Sequence, residues 1–374
     1  MAGNISSPRD RPGPRKILHV LRAPRAEGTV KLAIDLLQTR DADHEVFILT
    51  AHPAEMTEAL RGGTRWIRID PALPTGRKKF LWVAWRAWKV CRERKPDLVI
   101  CWPNGLGAFV LLGAALAGVR GLITHAGNPP TLTCKGRAYT LFTTWMVRAV
   151  GGRMVCCSNY VARQFARSPG ACASVLRVVY NCAPVAFIRD TAAGARAQRK
   201  DPRPRLIMVA TLELHKDHAT LLKAMPTVLR AVPDAQLWLA GDGSQRDPLQ
   251  SLSASLGLAD AVTFLGSRRD VPALLGQSDV FVLSTTREEG LGTVLIEALA
   301  AGLPIVASDV PACHEALSEG RWGTLVPPAD PEALAAALIA SLQARTTIET
   351  KGRSDYLQQF SPSCMIAAYV AATA

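Results

Sequence analysis

The stretch VFVLSTTREEGLGTVLIEALAAGLPIVAS, residues 280–308, predicts a strand, a loop, a helix and a second strand in immediate succession. Residues 280–284 and 305–308 are short apolar runs rich in β-branched side chains, as expected of buried strands. Between them a helix begins near Thr293, which we take as its N-cap, and ends where Gly302 precedes Pro304. A helix that joins two buried strands is typical of a parallel sheet with right-handed crossovers.

The same alternation extends in both directions from this stretch. The second half predicts strands at 206–210, 236–240, 262–265, 280–284, 305–308 and 324–326, and helices at 218–232, 245–256, 271–275, 293–301 and 331–343. The first half predicts strands at 16–21, 45–50, 64–69, 97–102, 121–125 and 153–157, with Ser158 capping the helix that follows the last of them. We therefore predict an α/β protein with two Rossmann-like domains, whose parallel sheets face a central cleft.

The length of 374 residues exceeds a single typical core and also favours two domains. We predict a disordered tail over 1–14, an N-terminal Rossmann-like domain over 15–189 and a C-terminal Rossmann-like domain over 205–350. The charged, alanine-rich segment 190–204 predicts a linker. Residues 351–374 predict a C-terminal helix that packs back on the N-terminal domain.

Charge is divided unevenly along the chain. Residues 1–200 contain 31 Lys and Arg against 12 Asp and Glu, whereas residues 201–374 contain 13 against 19. No carboxylate occurs between Asp97 and Asp190. The excess could serve solubility alone, or it could face an anionic partner such as a nucleic acid, a lipid surface or a phosphorylated substrate.

Several protein classes find no support in the sequence. The nine cysteines show no zinc-type or disulfide-type spacing, which indicates reduced thiols and a cytoplasmic location. The polar N-terminus lacks the apolar core of a secretory signal, and the longest charge-free run, 98–119, is interrupted and too short to span a bilayer. Asp41 and Asp43 have metal-motif spacing, but they lie between a helix and the following strand, on the wrong side of the sheet, so we predict no metal site there.

Two glutamates, Glu289 and Glu297, flank the glycine-rich loop after the predicted strand 280–284. In doubly wound sheets ligands bind at the carboxyl ends of the strands, where this loop lies. Glycines allow close approach of backbone to a ligand, free amides at a helix start suit a phosphate, and a carboxylate accepts two sugar hydroxyls. Without further signals, a ligand site is about as well supported as the alternative, in which Glu289 is merely an exposed loop charge and Glu297 merely a partner of the helix dipole.

The segment Glu289-GLGTVLI-Glu297 resembles the Glu-x7-Glu motif of the retaining family-4 glycosyltransferases, which belong to the group 1 glycosyl transferases and have the two-domain GT-B fold. Four flanking segments resemble the family in the same order: 209–224, 239–246, 264–275 and 302–311. In the first half the resemblance rests on the shorter segments KILHVL, HEVFILT, KPDLVICW, ITHAG and VVYN.

The resemblance implies a retaining, metal-independent hexosyltransferase with no cofactor besides its nucleotide-sugar donor, most simply a UDP- or GDP-sugar. It makes 205–350 the nucleotide-sugar-binding domain and 15–189 the acceptor-side domain. It implies that Glu297 holds the nucleotide ribose, that Glu289 lies against the transferred sugar, and that Lys216 neutralises the diphosphate leaving group. It places His125 beside the donor sugar. Further contacts to the donor are implied for Gly290, Leu291, Gly292, Thr293, Gly243 and Gly28.

The chain departs from the family pattern at three positions. Thr211 stands where the family frequently has an arginine, so diphosphate binding would rest on Lys216 and backbone amides or would use Arg268 or Arg269. Cys182 replaces a glycine after the family's hinge-side asparagine, Asn181. Glu27 replaces the first glycine of the family's first loop, in which Gly28 is the second.

The segment from Arg77 to Lys95 places Trp82, Trp85 and Trp88 three residues apart among basic side chains. This pattern fits an interfacial helix on an anionic membrane surface, and a core-packed helix with a basic outer face is the alternative. Residues 132–150 have a similar basic and apolar character and could cooperate. No RNA- or DNA-binding signature accompanies the segment, so we predict no nucleic-acid partner.

The sequence therefore predicts a glycosyltransferase, peripheral to the inner face of the cell membrane, that moves a sugar to a glycan or lipid-linked acceptor in cell-surface polysaccharide, lipopolysaccharide or glycolipid biosynthesis. The alternatives are a GT-B-fold epimerase or phosphorylase and a non-catalytic nucleotide-binding protein.

Overall fold

The computed structural model describes residues 15–23, 28–51, 57–102, 104–344 and 352–373. The predicted tail over 1–14 lies outside the described residues. So do 345–350, the end of the predicted second domain, and both end residues of the predicted C-terminal segment.

A seven-stranded sheet forms from the first half of the described chain, in the order β3-β2-β1-β4-β5-β6-β7. Its strands are β1 Arg15–Leu21, β2 Ala42–Ile48, β3 Trp66–Ile69, β4 Leu98–Cys101, β5 Gly121–Ala126, β6 Arg153–Cys156 and β7 Leu176–Val178. Strand β1 pairs in parallel with β2 and with β4, which gives it two neighbours, and its apolar side chains are buried. A strand that is covered on both faces needs a nearly continuous apolar sequence, which explains the composition of KILHVL.

Helices connect the strands of this sheet. They are α1 Gly28–Leu37, α2 Thr57–Gly62, α3 Lys78–Arg94, α4 Gly107–Leu116, α5 Cys134–Ala149 and α6 Asn159–Ala166. Ser158 caps α6 as predicted, because its hydroxyl accepts a hydrogen bond from the backbone amide of Val161.

The second half forms a six-stranded sheet of order β10-β9-β8-β11-β12-β13. Its strands are β8 Arg205–Val209, β9 Gln236–Ala240, β10 Val262–Gly266, β11 Val280–Leu283, β12 Ile305–Ser308 and β13 Thr324–Val326. The strand pairs in this sheet are parallel. The α/β class and the parallel sheets predicted from the sequence are therefore confirmed.

The helices of the second half are α7 Val185–Ala197, α8 His218–Ala231, α9 Arg246–Ser255, α10 Val271–Gly276, α11 Thr293–Ala300, α12 Pro311–Ala316, α13 Pro331–Gln343, α14 Arg353–Gln358 and α15 Pro362–Ala372. Local sequence explains several of their starts. Asp217 and Asp330 accept amide hydrogen bonds at the first turns of α8 and α13, and Pro331 occupies the first turn of α13, where its missing N–H costs nothing.

The chain divides into two compact units. The first consists of Met1–His125, Thr143–Met154 and Tyr369–Ala374, and the second of Ala126–Phe142 and Val155–Ala368. Strands β1 to β4 lie in the first unit and the six-stranded sheet lies in the second. The division passes through the end of β5 and the middle of β6, so it does not coincide with the predicted domain limits.

The predicted linker over 190–204 is wrong in its first half, because α7 continues through residue 197. Its alanine-rich composition favours helix, and buried Ile188 and Ala192 anchor it. A side chain at Gly276 would lie 2.2 Å from the carbonyl oxygen of Ala192, which shows how closely α10 packs against α7. Only residues 198–204 connect α7 to β8 without regular structure.

Within the described part of the chain, no helix combines the length and the apolar character needed to cross a bilayer.

Candidate functional site

The loop after β11 is bound to the loop after β8. The Thr285 hydroxyl and the Thr286 amide both donate hydrogen bonds to the carbonyl oxygen of His215, each at 3.0 Å. The amide of Thr285 also donates to the hydroxyl of Ser308, at the end of neighbouring strand β12. These bonds join loops at the carboxyl ends of adjacent parallel strands, the edge of such a sheet at which ligands bind.

This junction brings Lys216 and Glu289 together as an ion pair. Lys216 Nζ donates a hydrogen bond to Glu289 Oε2, and the other carboxylate oxygen accepts from the amide of Gly290 at 3.1 Å. Glu289 is only 6% exposed. Burial opposes its ionisation, but the Lys216 ammonium and the Gly290 amide outweigh burial and hold the pKa of Glu289 below its ordinary value. The site therefore contains a buried carboxylate that is charged at neutral pH.

Helix α11 starts directly after this pair. Gly292 is its N-cap and has φ of +71°, a left-handed conformation that favours glycine. Thr293, predicted as the N-cap, is instead the first helical residue, and its hydroxyl accepts a hydrogen bond from Asn181 Nδ2 at 3.2 Å. The prediction failed because a glycine in the left-handed region ends the loop one residue earlier.

Glu297 lies one turn into α11, as predicted, and is 5% exposed. Leu291, just before the helix, is also buried. Both glutamates of the motif are therefore withdrawn from bulk solvent, which excludes the interpretation of Glu289 as an exposed loop charge. Glu288, by contrast, is exposed.

Two residues outside the motif, Ser158 and Tyr160, hold the glycine-rich loop in place. Ser158 Oγ donates to the carbonyl oxygen of Gly290 at 2.6 Å, and the Tyr160 hydroxyl donates to that of Arg287 at 2.7 Å. A side chain at Gly290 would lie 1.8 Å from the carbonyl oxygen of Gly127, so glycine is required there. Ser158 was predicted only as a helix cap, and nothing in the local sequence marks its second role.

Gly243 lies in the turn after β9, within the second unit. A side chain there would approach the carbonyl oxygen of Leu212 to 2.5 Å, so this position also requires glycine. Glu213 fixes the turn, because its carboxylate accepts hydrogen bonds from the amide and the hydroxyl of Ser244 at 3.0 and 2.7 Å. Arg268, a predicted alternative phosphate ligand, is paired with Asp270 at 2.6 Å.

His125 and Gly28 belong to the first unit. His125 is buried near the end of β5, its Nδ1 lies 2.8 Å from the Tyr369 hydroxyl, and burial lowers its pKa to about 4. The imidazole is therefore neutral at pH 7. Gly28 begins α1, and no described atom lies within 4 Å of where a side chain would start, so this structure gives no steric reason for a glycine there.

Helix α3 contains the three predicted tryptophans and has one buried and one open side. Trp85 is half exposed and Leu81 is 77% exposed, whereas Trp82 and Trp88 are partly buried. The Lys89 ammonium and the Arg92 guanidinium lie 5.5 and 5.6 Å from the ring centres of Trp85 and Trp88, respectively. The open side therefore combines aromatic, aliphatic and cationic groups. Both alternatives, an interfacial helix and a core-packed helix with a basic outer face, predict such a surface.

Helix α5 and the loop before it expose a second group of large apolar side chains. Leu141, Phe142 and Trp145 are each 41–52% exposed, and Leu132 in the preceding loop is 74% exposed. The guanidinium of Arg148 lies 5.9 Å from the Trp145 ring centre. As predicted, this segment resembles α3 in combining exposed apolar side chains with a neighbouring cation.

Comparison with protein families gives two matches. A family model described as "Glycosyl transferases group 1" matches residues 192–354, and one described as "Glycosyltransferase Family 4" matches residues 28–187. The two matches do not overlap and together cover most of the chain.

Individual relatives agree with these families. The lipopolysaccharide core biosynthesis glycosyltransferase LpsE of Rhizobium meliloti is 26% identical over 348 residues, which are 87% of this chain and 92% of LpsE. A GDP-mannose-dependent alpha-(1-6)-phosphatidylinositol monomannoside mannosyltransferase of Mycolicibacterium smegmatis is 30% identical over 192 residues, which are 48% of this chain and 50% of that protein. The chain thus spans about half the length of this second relative.

Among solved structures, Anabaena HepE in complex with UDP and glucose superposes with a TM-score of 0.78 at 21% identity, over 96% of this chain and 99% of HepE. At this identity the likeness shows a shared fold.

Proposed function

Because the chain belongs to the group 1 glycosyl transferases and has the GT-B fold, we propose that it transfers a sugar, with retention of anomeric configuration, from a nucleotide-diphosphate sugar to a glycan or lipid-linked acceptor. The observation that carries this proposal is the ion pair between the partly exposed Lys216 and the buried Glu289, just before α11. A charged carboxylate and a cation held together at a strand-end loop suit a ligand with both hydroxyls and phosphates.

The donor contacts are assigned by chemistry. Glu289 accepts hydrogen bonds from hydroxyls of the transferred sugar, and Glu297 accepts them from the nucleotide ribose. Lys216 and the first amides of α11, which lack partners within the helix, stabilise the diphosphate. The donor is a UDP- or GDP-sugar: a relative is named as GDP-mannose-dependent, and the similar HepE was solved with UDP and glucose.

The transfer proceeds on one face of the sugar. The bond between C1 and the diphosphate oxygen breaks while the acceptor oxygen bonds to C1 from the same side, and the acceptor proton passes to the departing diphosphate. Negative charge grows on the diphosphate during this step, so Lys216 stabilises the transition state more than the ground state. Lysine and helix amides supply the positive charge, and the mechanism requires no divalent metal, dedicated base or covalent nucleophile.

The acceptor is linked to a membrane lipid or a cell-surface glycan, and the enzyme works peripherally on the cytoplasmic side. This part of the proposal is supported by the excess of Lys and Arg in the first half, by the open side of α3, and by relatives named for lipopolysaccharide and phosphatidylinositol mannoside synthesis. Aromatic rings among cations suit the headgroup region of an anionic bilayer.

The proposal is tested by incubating the full chain with UDP-, GDP- and ADP-sugars and a membrane lipid extract, with and without EDTA. We expect one nucleotide to raise the melting temperature and its sugar to be released or transferred with retained configuration, as read by proton NMR. The Glu289→Gln variant should lose turnover, while Glu288→Gln, its exposed neighbour, should not. Equal turnover by both variants would refute the site assignment, and inversion or loss of activity in EDTA would refute the mechanism.

The same assay separates the alternatives. An epimerase would convert the nucleotide sugar without transfer, a phosphorylase would release a sugar phosphate from a glycan in the presence of inorganic phosphate, and a non-catalytic binder would be stabilised without turnover. Each of these results would contradict the proposed transfer.

A further inference from the structure

The C-terminal helix α15 brings a tyrosine hydroxyl to the imidazole of His125. The Tyr369 oxygen lies 2.8 Å from His125 Nδ1, and the two rings meet edge to face with centres 6.4 Å apart. Both side chains are buried, Tyr369 completely. The two residues are 244 positions apart and lie in the same compact unit.

The indole of Trp102 forms a second wall around the imidazole. Its ring centre lies 5.1 Å from that of His125 and 6.3 Å from that of Tyr369. The indole is itself fixed, because its Nε1 donates a hydrogen bond to His19 Nδ1 at 3.2 Å. His125 is therefore held by packing on two aromatic rings and by one hydrogen bond.

The other imidazole nitrogen, Nε2, is buried and has no hydrogen-bond partner among the described residues. Buried polar groups in folded proteins nearly always have a partner, and an exception calls for a reason such as a functional role. A ligand oxygen that reached Nε2 would complete its hydrogen bonding.

The position of the imidazole proton follows from the chemistry of the pair. Burial keeps His125 neutral at pH 7, so it carries a single proton on one of its two nitrogens. A phenol O–H is a stronger acid than the N–H of a neutral imidazole, and an imidazole nitrogen accepts hydrogen bonds better than a phenol oxygen. The stronger bond therefore runs from the Tyr369 hydroxyl to Nδ1, which places the imidazole proton on Nε2.

We propose that Tyr369 is a positioning residue, which holds His125 as the Nε2–H tautomer so that Nε2–H donates a hydrogen bond to a sugar hydroxyl oxygen of a substrate. A neutral donor suits a sugar hydroxyl, whereas a diphosphate is better met by a cation such as Lys216. This inference rests on the proposed function, and it adds a residue outside every motif that suggested that function.

The kinetic test uses Tyr369→Phe, which keeps the aromatic ring and removes the hydroxyl. We expect kcat to fall about tenfold with KM changed less than twofold, because the ring remains and only the orientation of His125 is lost. The matched control is Tyr356→Phe, which removes a hydroxyl that donates to the carbonyl oxygen of Ala316 at 2.8 Å, and its kcat should stay within twofold of wild type. In a His125→Ala background, Tyr369→Phe should have no further effect on kcat. A full tenfold effect in that background would overturn the proposal.

The second test requires no turnover. In the ligand-free full chain labelled with ¹⁵N-histidine, the His125 signals, identified by their loss in His125→Ala, should show a protonated Nε2 and a bare Nδ1. Tyr369→Phe should introduce the Nδ1–H form, while Tyr356→Phe should not. An Nδ1–H form in the wild type, or unchanged signals in Tyr369→Phe, would overturn the proposal even if sugar transfer is established. Conversely, the expected spectra in a protein that transfers no sugar would leave the tautomer assignment intact and refute the proposed function.

Discussion

Replacing Lys216 by methionine should destabilise the protein in a way that depends on pH. Methionine keeps the length of the side chain and removes its charge, so the Glu289 carboxylate, whose side chain is 8% exposed, loses its counterion. Removal of one partner from a buried ion pair costs roughly 3–5 kcal/mol when the other charge stays buried. Alternatively, Glu289 takes up a proton and avoids the buried charge. The variant loses stability by the smaller of these two costs, that of the unpaired charge or that of protonation.

The free-energy cost of protonating Glu289 becomes smaller as the pH is lowered. For the ordinary glutamate pKa of 4.5, this cost is about 5 kcal/mol at pH 8 and about 2 kcal/mol at pH 6. In the variant, burial without Lys216 raises the folded-state pKa of Glu289 above its unfolded value. The folded variant therefore binds the proton more readily than the unfolded chain, and stability is regained as the pH falls. We expect a loss relative to wild type of about 3–5 kcal/mol at pH 8 and no more than about 2 kcal/mol at pH 6.

Urea unfolding followed by circular dichroism at both pH values measures this loss. Lys223→Met, which removes an exposed lysine from α8, should stay within about 0.5 kcal/mol of wild type. The double variant Lys216→Met with Glu289→Gln has no uncompensated charge and should be more stable than Lys216→Met at pH 8. An equal loss at both pH values, or a double variant no better than the single one, would refute the assignment of a buried, charged pair.

Three further outcomes are expected. Gly290→Ala should lower stability by more than about 1 kcal/mol and abolish turnover, because the added methyl would collide with the facing backbone carbonyl; wild-type melting and activity would contradict this. Acidification from pH 8 to pH 5 should lower the free energy of unfolding by about 2 kcal/mol for each of His125 and His218. Burial lowers both folded-state pKa values to about 4, so the unfolded chain binds protons first as the pH falls. Equal free energies of unfolding at the two pH values, measured with urea, would contradict this. The double variant Leu81→Ser with Trp85→Ser should no longer float with anionic vesicles in a flotation assay. Its melting temperature should stay within a few degrees of wild type, because both side chains are exposed on α3. Unchanged flotation would rule out this helix as the membrane contact.

The elements that local sequence determines were predicted well. Strands 236–240, 305–308 and 324–326 and helix 331–343 agree with the structure residue for residue, because apolar runs, caps and glycine or proline breaks all lie within the segment. Strand β2 was misplaced: it was predicted over 45–50 and is found at Ala42–Ile48. Its first three residues are drawn into the sheet by pairing with Arg15, Lys16 and Ile17 of β1, and polar residues such as Asp43 and His44 give no strand signal of their own.

A buried chain of hydrogen bonds explains why His44 belongs inside this sheet. The Trp102 indole can only donate, so His19 accepts at Nδ1 and carries its proton on Nε2, which lies 3.0 Å from His44 Nδ1. His44 in turn donates from Nε2 to the Thr39 hydroxyl, which donates to the carbonyl oxygen of Leu36. Burial lowers the pKa of both histidines, so both are neutral members of the core. Such a network joins residues from β1, β2, the C-terminal end of α1 and the position after β4, and no periodicity in the sequence reveals it.

The candidate site shows the same division between what local sequence encodes and what the fold supplies. Glu289 and Lys216 could be selected as charged groups from their motifs, but their pairing joins positions 73 residues apart and depends on the bonds between the loops after β8 and β11. Ser158 and Tyr160 hold the backbone of the glycine-rich loop from α6, again without any local signal. A misplacement of about 1 Å at a reacting centre can cost a factor of about 100 in rate. Residues that fix the loop must therefore matter for the proposed transfer nearly as much as the carboxylates it carries, even though no motif contains them.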